Sequence, residues 1–396
     1  MLSQHYKDML GQKSVIREMN AAAFAMGEKI GHDQIFNFSL GNPSVPAPDS
    51  VNETMLKLLQ NEDSLALHGY SESHGNLKVR GQVAEYLKKT YGLPYTADHV
   101  FMASGAAGAI AHALRAVACP GEEVITFAPF FPEYRPYVNE TGAVLKVVPA
   151  DTEKFQINFE AFEEMLSEKT AAILINSPNN PSGIVYSTET IQRLADTLRK
   201  AQETYGHDIY LISDEPYREI VFEGVDAPCI SAFYDNTLMC YSFSKSISLP
   251  GERIGYVAAN PACKDAETII HMCTQISRGI GHNCPASLIQ LAVGEVLGDT
   301  ADLSVYETNS NILYKELTAM GFSIVKPGGT FYMFPKAPIA DAKEFCRKAL
   351  EYRLVIVPSD SFGVEGFFRI AYCVPTETVE RSLDSFRQLA AFYGMS

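Results

Sequence analysis

Several short strand-like runs along the first two thirds of the chain break off abruptly into polar residues. Val124–Phe127, Ala171–Ile175, Asp208–Ser213 and Asn236–Tyr241 are the clearest of them. Runs of this length, rich in aliphatic and aromatic residues and bounded by turn signals, predict buried strands. A small-residue turn at Ser104 opens a helix expected to continue to about Ala118. Strands and helices alternate in this way, with short turns, from residue 50 to residue 290. That alternation predicts an α/β fold whose large domain holds a mainly parallel, doubly wound sheet. Beyond it, from 291 to 396, the pattern predicts a helix over Ala301–Ala319 that stops at Gly321, then a strand over Thr330–Pro335. A helix over 340–352 and strands over Val355–Val357 and Phe367–Ala371 follow, together a smaller α+β domain. Residues 1–49 are expected to form an N-terminal arm and an opening helix that rejoin this C-terminal part.

The chemistry-bearing residues sit where the apolar runs end. Ser242-Phe243-Ser244-Lys245 follows the run ending at Tyr241 and precedes Arg253 by eight residues. An isolated lysine is ordinarily solvated surface, but a lysine amine becomes a nucleophile toward carbonyls when its pKa is lowered. Arg253 is placed to help lower it. Asp214-Glu215-Pro216-Tyr217 follows the run ending at Ser213, and the amide-rich turn Asn176-Ser177-Pro178-Asn179-Asn180-Pro181-Ser182-Gly183 follows Ile175. In α/β folds the carboxyl ends of parallel strands are where ligands bind. Asn180, Asp214, Tyr217 and Lys245 therefore read as one constellation.

This order of residues resembles that of the pyridoxal phosphate enzymes of the aspartate aminotransferase family, over nearly the full length of the chain. The resemblance implies pyridoxal 5'-phosphate held as a Schiff base by Lys245, with Asp214 as the anion that keeps the ring nitrogen protonated. Tyr217 and Asn180 would meet the ring's phenolic oxygen. Lys245, once displaced by substrate, would carry the proton. Ser104-Gly105-Ala106-Ala107-Gly108 supplies backbone N–H groups at a helix N-terminus, a ready anion site. The same segment is one glycine short of a dinucleotide fingerprint, but the strand Val124–Phe127 ends at Ala128-Pro129 and not in the acid that binds a ribose. In the family reading the amides of Ala106 and Ala107, with Ser242, Ser244 and Arg253, hold the phosphate. Phe131, before Pro132, takes the place of the ring that lies over the cofactor, although a Phe-Phe pair by itself is more often core.

Two arginines bear on the substrate. Arg369, inside the apolar strand Phe367–Ala371, is costly to bury without an anion, and in the family its counterpart grips the substrate's α-carboxylate. Gly41, in Ser39-Leu40-Gly41-Asn42-Pro43, resembles the loop that closes over the same carboxylate. Arg278 lies five residues before Asn283, where dicarboxylate-specific relatives keep an arginine that reads a side-chain carboxylate across the subunit interface. Tyr70 resembles the tyrosine that reaches the neighbouring subunit's phosphate. The resemblance therefore implies a homodimer with active sites shared between chains, acting on an L-amino acid, glutamate or aspartate as donor, and a 2-oxo acid.

Composition limits the other classes. At 396 residues and 46% hydrophobic, the chain can bury a large core, and a net charge of −15 argues against nucleic acid as a partner. Eight cysteines without a C-x-x-C spacing read as reduced thiols, and His68 and His74 lack a third ligand nearby, so no metal is expected. The N-terminus lacks a basic segment followed by an apolar run, and no stretch approaches the roughly 18 apolar residues of a membrane span. Cytoplasm is the expected location. A β-lyase on the same fold is the alternative, because the same residues run both reactions. A more distant one is a serine acyl hydrolase, since Ser242-x-x-Lys245 spells S-x-x-K, but the companion motifs S-D-N and K-T-G are missing.

Overall fold

Twelve strands are found among the described residues: β1 (Phe36–Asn37), β2 (Val100–Ala103), β3 (Glu123–Phe127), β4 (Val144–Val148), β5 (Thr170–Asn176), β6 (Tyr210–Asp214), β7 (Thr237–Ser242), β8 (Gly255–Ala259), β9 (Tyr332–Met333), β10 (Leu354–Val355), β11 (Val357–Pro358) and β12 (Phe368–Ala371). This is a computed structural model describing residues 2–11 and 14–395; Met1, Gln12 and Lys13 of the expected arm, and Ser396, lie outside the described residues. Seven strands form one sheet in the order β2-β8-β7-β6-β5-β3-β4. All its pairings are parallel except those of β8, which runs antiparallel to both β2 and β7.

Side chains on a strand alternate between its two faces, and both faces of this sheet are covered. On β5, Ala172 and Leu174 enter the core shared with helices Gly105–Val117 and Ala266–Ile280, while Ile173 and Ile175 enter the core under helix Thr188–Tyr205. On β7, Leu238 and Cys240 join the first of these cores, and Met239 and Tyr241 join a third, packed by helices Asp49–Asn61 and Leu77–Tyr91. This two-sided burial is why the parallel strands read as unbroken apolar runs.

A separate core gathers around the sheet β11-β12-β9 and helices Ser304–Ala319, Ala342–Glu351 and Thr376–Phe392. Phe36 and Phe38 belong to it, and β1 pairs in parallel with β10. The expected break at 290 falls inside helix Ser287–Glu295. Val293 and Val296 pack in the third core, with Val51, Val79 and Val83. The strand expected over Thr330–Pro335 is confined to Tyr332–Met333, because Thr330 takes a left-handed φ of 63° that interrupts extended backbone. The helix expected from Ala301 starts at Ser304, where the Asp302 carboxylate accepts from the Ser304 backbone N–H.

Ile173 is fully buried in the sheet's interior whereas Val144, on the edge strand β4, is 51% exposed. Ile173→Ala should lower stability by about 2–5 kcal/mol and Val144→Ala by less than about 0.5 kcal/mol. Denaturant midpoints of the two variants check the contrast, and equal shifts would contradict the layering.

Candidate active site

Parallel pairing brings the ends of β5, β6 and β7 side by side, with Asn176 opposite Asp214 and Asp214 opposite Cys240. Gly41, Ala106, Ala107, Phe131, Asn180, Asp214, Tyr217, Ser242, Ser244, Lys245, Arg253 and Arg369 all line one cleft of about 540 Å³ above this edge. Tyr70 and Arg278 do not. Tyr70 is fully exposed, and Arg278 is exposed near the end of its helix, donating to Gln275 at 2.9 Å.

The turn after β5 satisfies its own amides. Asn176 donates to the Asp214 carbonyl at 2.8 Å and accepts from the Asn180 N–H at 2.6 Å, while Asn179 Oδ1 accepts from the Ser182 N–H and hydroxyl. Asn180 is thereby aimed at Arg369, whose Nη1 donates to its Oδ1 at 3.0 Å.

Asp214 is buried and only half satisfied. The Tyr134 hydroxyl donates to Oδ2 at 2.5 Å, while Oδ1 has no hydrogen-bond partner among the described residues. Burial pushes its carboxyl up to about 7, with the Tyr134 hydrogen bond opposing and the Glu215 charge adding. An orphaned carboxylate oxygen on a cleft wall suits a cationic or N–H-bearing ligand group.

Lys245 is partly buried at the start of the cleft's helical turn Phe243–Ser246. Its amine donates to the Gly41 carbonyl at 2.6 Å and lies 5.3 Å from the Phe331 ring centroid. Burial is the main cause that pulls its pKa down to about 8; Cys373 opposes, and Arg253 and Arg369 add to the fall. Arg253 contributes in the direction expected from the sequence, but burial leads. Near neutrality such an amine is far closer to its free-base form than an ordinary lysine.

Ser242 caps that turn: its Oγ accepts from the Ser244 N–H at 3.1 Å and donates to the Ser244 hydroxyl at 2.6 Å. With Lys245 committed to Gly41, neither residue is arranged as the nucleophile and base of an acyl hydrolase. Helix Gly105–Val117 begins opposite them, and its N-cap Ser104 makes no side-chain capping bond. The first-turn N–H groups, which lack intrahelical partners, are thus available to an anion. Gly105 has φ +72°, and a Cβ there would come within 2.8 Å of Arg253 Nη2. Only glycine lets the arginine approach this helix end.

Arg369, 1% exposed on β12, donates to Asn180 and to the Ser39 carbonyl at 2.5 Å. Its guanidinium lies 4.6 Å from the Tyr332 ring centroid, Nε has no partner, and none of the ion pairs among the described residues involves it. A buried cation without a carboxylate is complementary to a carboxylate ligand.

Sequence reasoning missed Asn176, Tyr134 and Tyr332. Asn176 opens the turn already singled out, and Tyr134 closes the Phe131 segment. Tyr332 carried no signal beyond an aromatic in a strand, yet its hydroxyl lies 3.2 Å from that of Tyr217. A Cβ on Gly41 would meet that hydroxyl at 1.8 Å, so the absent side chain there makes room for Tyr332.

The folded Asp214 carboxyl holds its proton up to about pH 7, while an unfolded one ionises near pH 4, so the folded state loses stability as pH rises through that window. In protein stripped of small ligands, Asp214→Asn should therefore melt increasingly above wild type between pH 4 and 7, with the gap levelling off above 7. A gap independent of pH in thermal melts would refute the buried, half-satisfied carboxyl.

Comparison with known proteins matches residues 33–386 to a family model described as aminotransferase class I and II. An aspartate aminotransferase from Thermotoga maritima is 31% identical over 93% of this chain and 94% of its own. An aromatic-amino-acid aminotransferase from Thermococcus litoralis is 29% identical over 91% of this chain and 92% of its own. Among solved structures, an aminotransferase from Eubacterium rectale superposes with a TM-score of 0.96 at 43% identity, covering 99% of each chain.

Proposed function

The chain belongs to the class I and II aminotransferases, enzymes that use pyridoxal phosphate, and from that premise we propose that Lys245 holds this cofactor as a Schiff base and moves amino groups from glutamate or aspartate to a 2-oxo acid. The observation that carries the reading is the pairing, in one cleft, of a lysine amine pulled down to about 8 with a buried carboxylate lacking a partner for one oxygen.

The cradle fits the group. Asp214 Oδ1, which lacks a partner among the described residues, would take a ring N–H, Tyr217 and Asn180 would meet the phenolic oxygen, and Phe131 would lie over the ring face. The Ala106 and Ala107 amides, with Ser242, Ser244 and Arg253, form the anion handle. When bound, the cofactor supplies an electron sink for the α-carbon of the amino acid. The rest falls to the protein. Arg369 would grip the α-carboxylate, with Gly41 lending a backbone contact; Asp214 would hold a proton at the ring nitrogen; and the Lys245 amine would move the α-proton. Closure of the cleft between a cofactor domain of about 50–290 and the C-terminal part would exclude water.

The dicarboxylic donor rests on Arg278, and the shared active site on Tyr70. Both lie outside the cleft of their own chain, as residues serving a second subunit would, which supports a homodimer. The relatives are named for both aspartate and aromatic amino acids, so the side-chain contact decides the substrate. No helix among the described residues is long and apolar enough to cross a membrane, in keeping with the cytoplasmic location we propose.

Purified protein should be yellow, and L-glutamate added without any oxo acid should bleach it while 2-oxoglutarate appears once per site; a 2-oxo acid should restore the colour. Lys245→Ala should lose turnover, and a variant that kept it would end the covalent assignment. Colour unmoved by glutamate, with pyruvate and ammonia released from other amino acids, would instead support the β-lyase reading. Arg278→Ala should lower kcat/KM about tenfold to a hundredfold for dicarboxylic amino acids, the loss of one charge-assisted contact, and little for neutral ones. Equal losses on both classes would remove Arg278 from the site.

A further inference from the structure

We propose that Tyr332 is a positioning residue for Tyr217: it donates its phenolic proton to the Tyr217 oxygen and so commits the Tyr217 proton to the cleft, toward the cofactor's phenolic oxygen. The inference rests on the proposed function.

Tyr332 lies on β9 opposite Ala371 of β12, the strand that carries Arg369, whereas Tyr217 belongs to the turn after β6 of the large sheet. The two hydroxyls are 3.2 Å apart, and either can donate. A phenol has one proton. If Tyr217 gives its proton to Tyr332, nothing remains for a ligand; if Tyr332 gives, Tyr217 is free to donate into the cleft.

The surroundings favour the second arrangement. Tyr332 is held edge-on to Tyr217, at 5.7 Å and 83°, with the Arg369 guanidinium 4.6 Å from its ring centroid. The charged or titratable groups facing the pair are Arg369, Asp214, Lys245 and Cys373. Arg369 has no acceptor to offer. Lys245 donates to Gly41, Asp214 Oδ2 is taken by Tyr134, and the Cys373 thiol donates to the Leu40 carbonyl at 3.5 Å. Among the described residues the Tyr332 hydroxyl has Tyr217 as its one hydrogen-bond partner. Burial keeps both phenols protonated, Tyr217 well above the usual range and Tyr332 pushed up to about 12. The Arg369 charge opposes the rise on both phenols, and Tyr332 rises less than Tyr217, which makes Tyr332 the more acidic of the two and the readier donor. A hydroxyl that accepts while donating is polarised, and its outgoing bond strengthens by roughly 10–30%.

The readout is the pH midpoint at which the bound cofactor's visible band changes, measured without turnover. Donation from Tyr217 stabilises the ionised phenolic oxygen and lowers that midpoint. Tyr217→Phe should raise it, and Tyr332→Phe should raise it by a smaller step, about 0.2–0.6 pH unit. The double variant should titrate no higher than Tyr217→Phe alone, because Tyr332 acts only through Tyr217. Phenylalanine keeps a ring beneath Arg369, so KM for the amino acid should stay within about twofold. Gly41→Ala, which crowds the Tyr332 hydroxyl from the other side, should raise the midpoint as well. A wild-type midpoint in Tyr332→Phe, or steps that add in the double variant, would overturn the proposal while leaving the functional reading intact. A wild-type protein with no visible band on adding pyridoxal phosphate would overturn the functional reading, and this proposal with it.

Discussion

Everything in the cleft depends on ionisable groups being buried with their pairing left incomplete. Among the described residues Asp214 has a partner for one oxygen, Tyr134, and none for the other, Arg369 has amide and carbonyl partners but no carboxylate, and Lys245 rests on a backbone carbonyl. Each arrangement costs folding free energy, since a desolvated charge is repaid only by a full set of partners. The seven-stranded sheet, with cores on both faces, supplies the stability against which these costs are carried. A cofactor that brings a protonated ring nitrogen and an aldehyde, followed by a substrate that brings a carboxylate, would restore the missing partners in turn, so that recognition and relief of desolvation would coincide.

The incompleteness is local because the polar residues around it are self-contained. Asn179 spends its Oδ1 on the turn that it forms, Asn176 spends its amide on the Asp214 carbonyl and the Asn180 N–H, and Ser242 spends its hydroxyl on the first turn of its own short helix. Two of the buried side-chain atoms without a partner among the described residues, on Asp214 and Arg369, belong to residues that line the cleft. Gly41 and Gly105 serve the same end by steric means, each leaving space that a longer side chain, Tyr332 or Arg253, occupies.

Much of this is legible in the sequence, for a physical reason. Strands buried on both faces are continuous apolar runs, and the residues that break them are the ones that reach the cleft, so Asn180, Asp214, Tyr217 and Lys245 announce themselves by position. Arg369 does so by contrast with its apolar neighbours. Contacts between distant segments leave no such mark. Tyr134 meets Asp214 across 80 residues, and Tyr332 meets Tyr217 across 115. Each tyrosine alone is an ordinary core aromatic. Helix Ser287–Glu295 likewise hides its allegiance, because apolar periodicity tells that a helix has a buried face but not which core receives it.

The antiparallel strand β8 carries a consequence for how the protein assembles. Because Ser242 pairs with Gly255, the chain leaves the sheet and returns to the same place, and three of the proposed handle residues, Ser242, Ser244 and Arg253, lie on that one short excursion, while Ala106 and Ala107 come from the distant helix Gly105–Val117. The proposed grip on the carboxylate has no such economy: Arg369 meets Asn180 across 189 residues and Ser39 across 330, and Gly41 meets Lys245 across 204. Closing a short loop costs less chain entropy than closing a long one, and contacts of low sequence separation form sooner. The serine and arginine part of the proposed anchor is thus kinetically inexpensive, whereas its junction with helix Gly105–Val117, where Arg253 reaches Ser104 across 149 residues, waits on long-range contacts as the proposed substrate grip does.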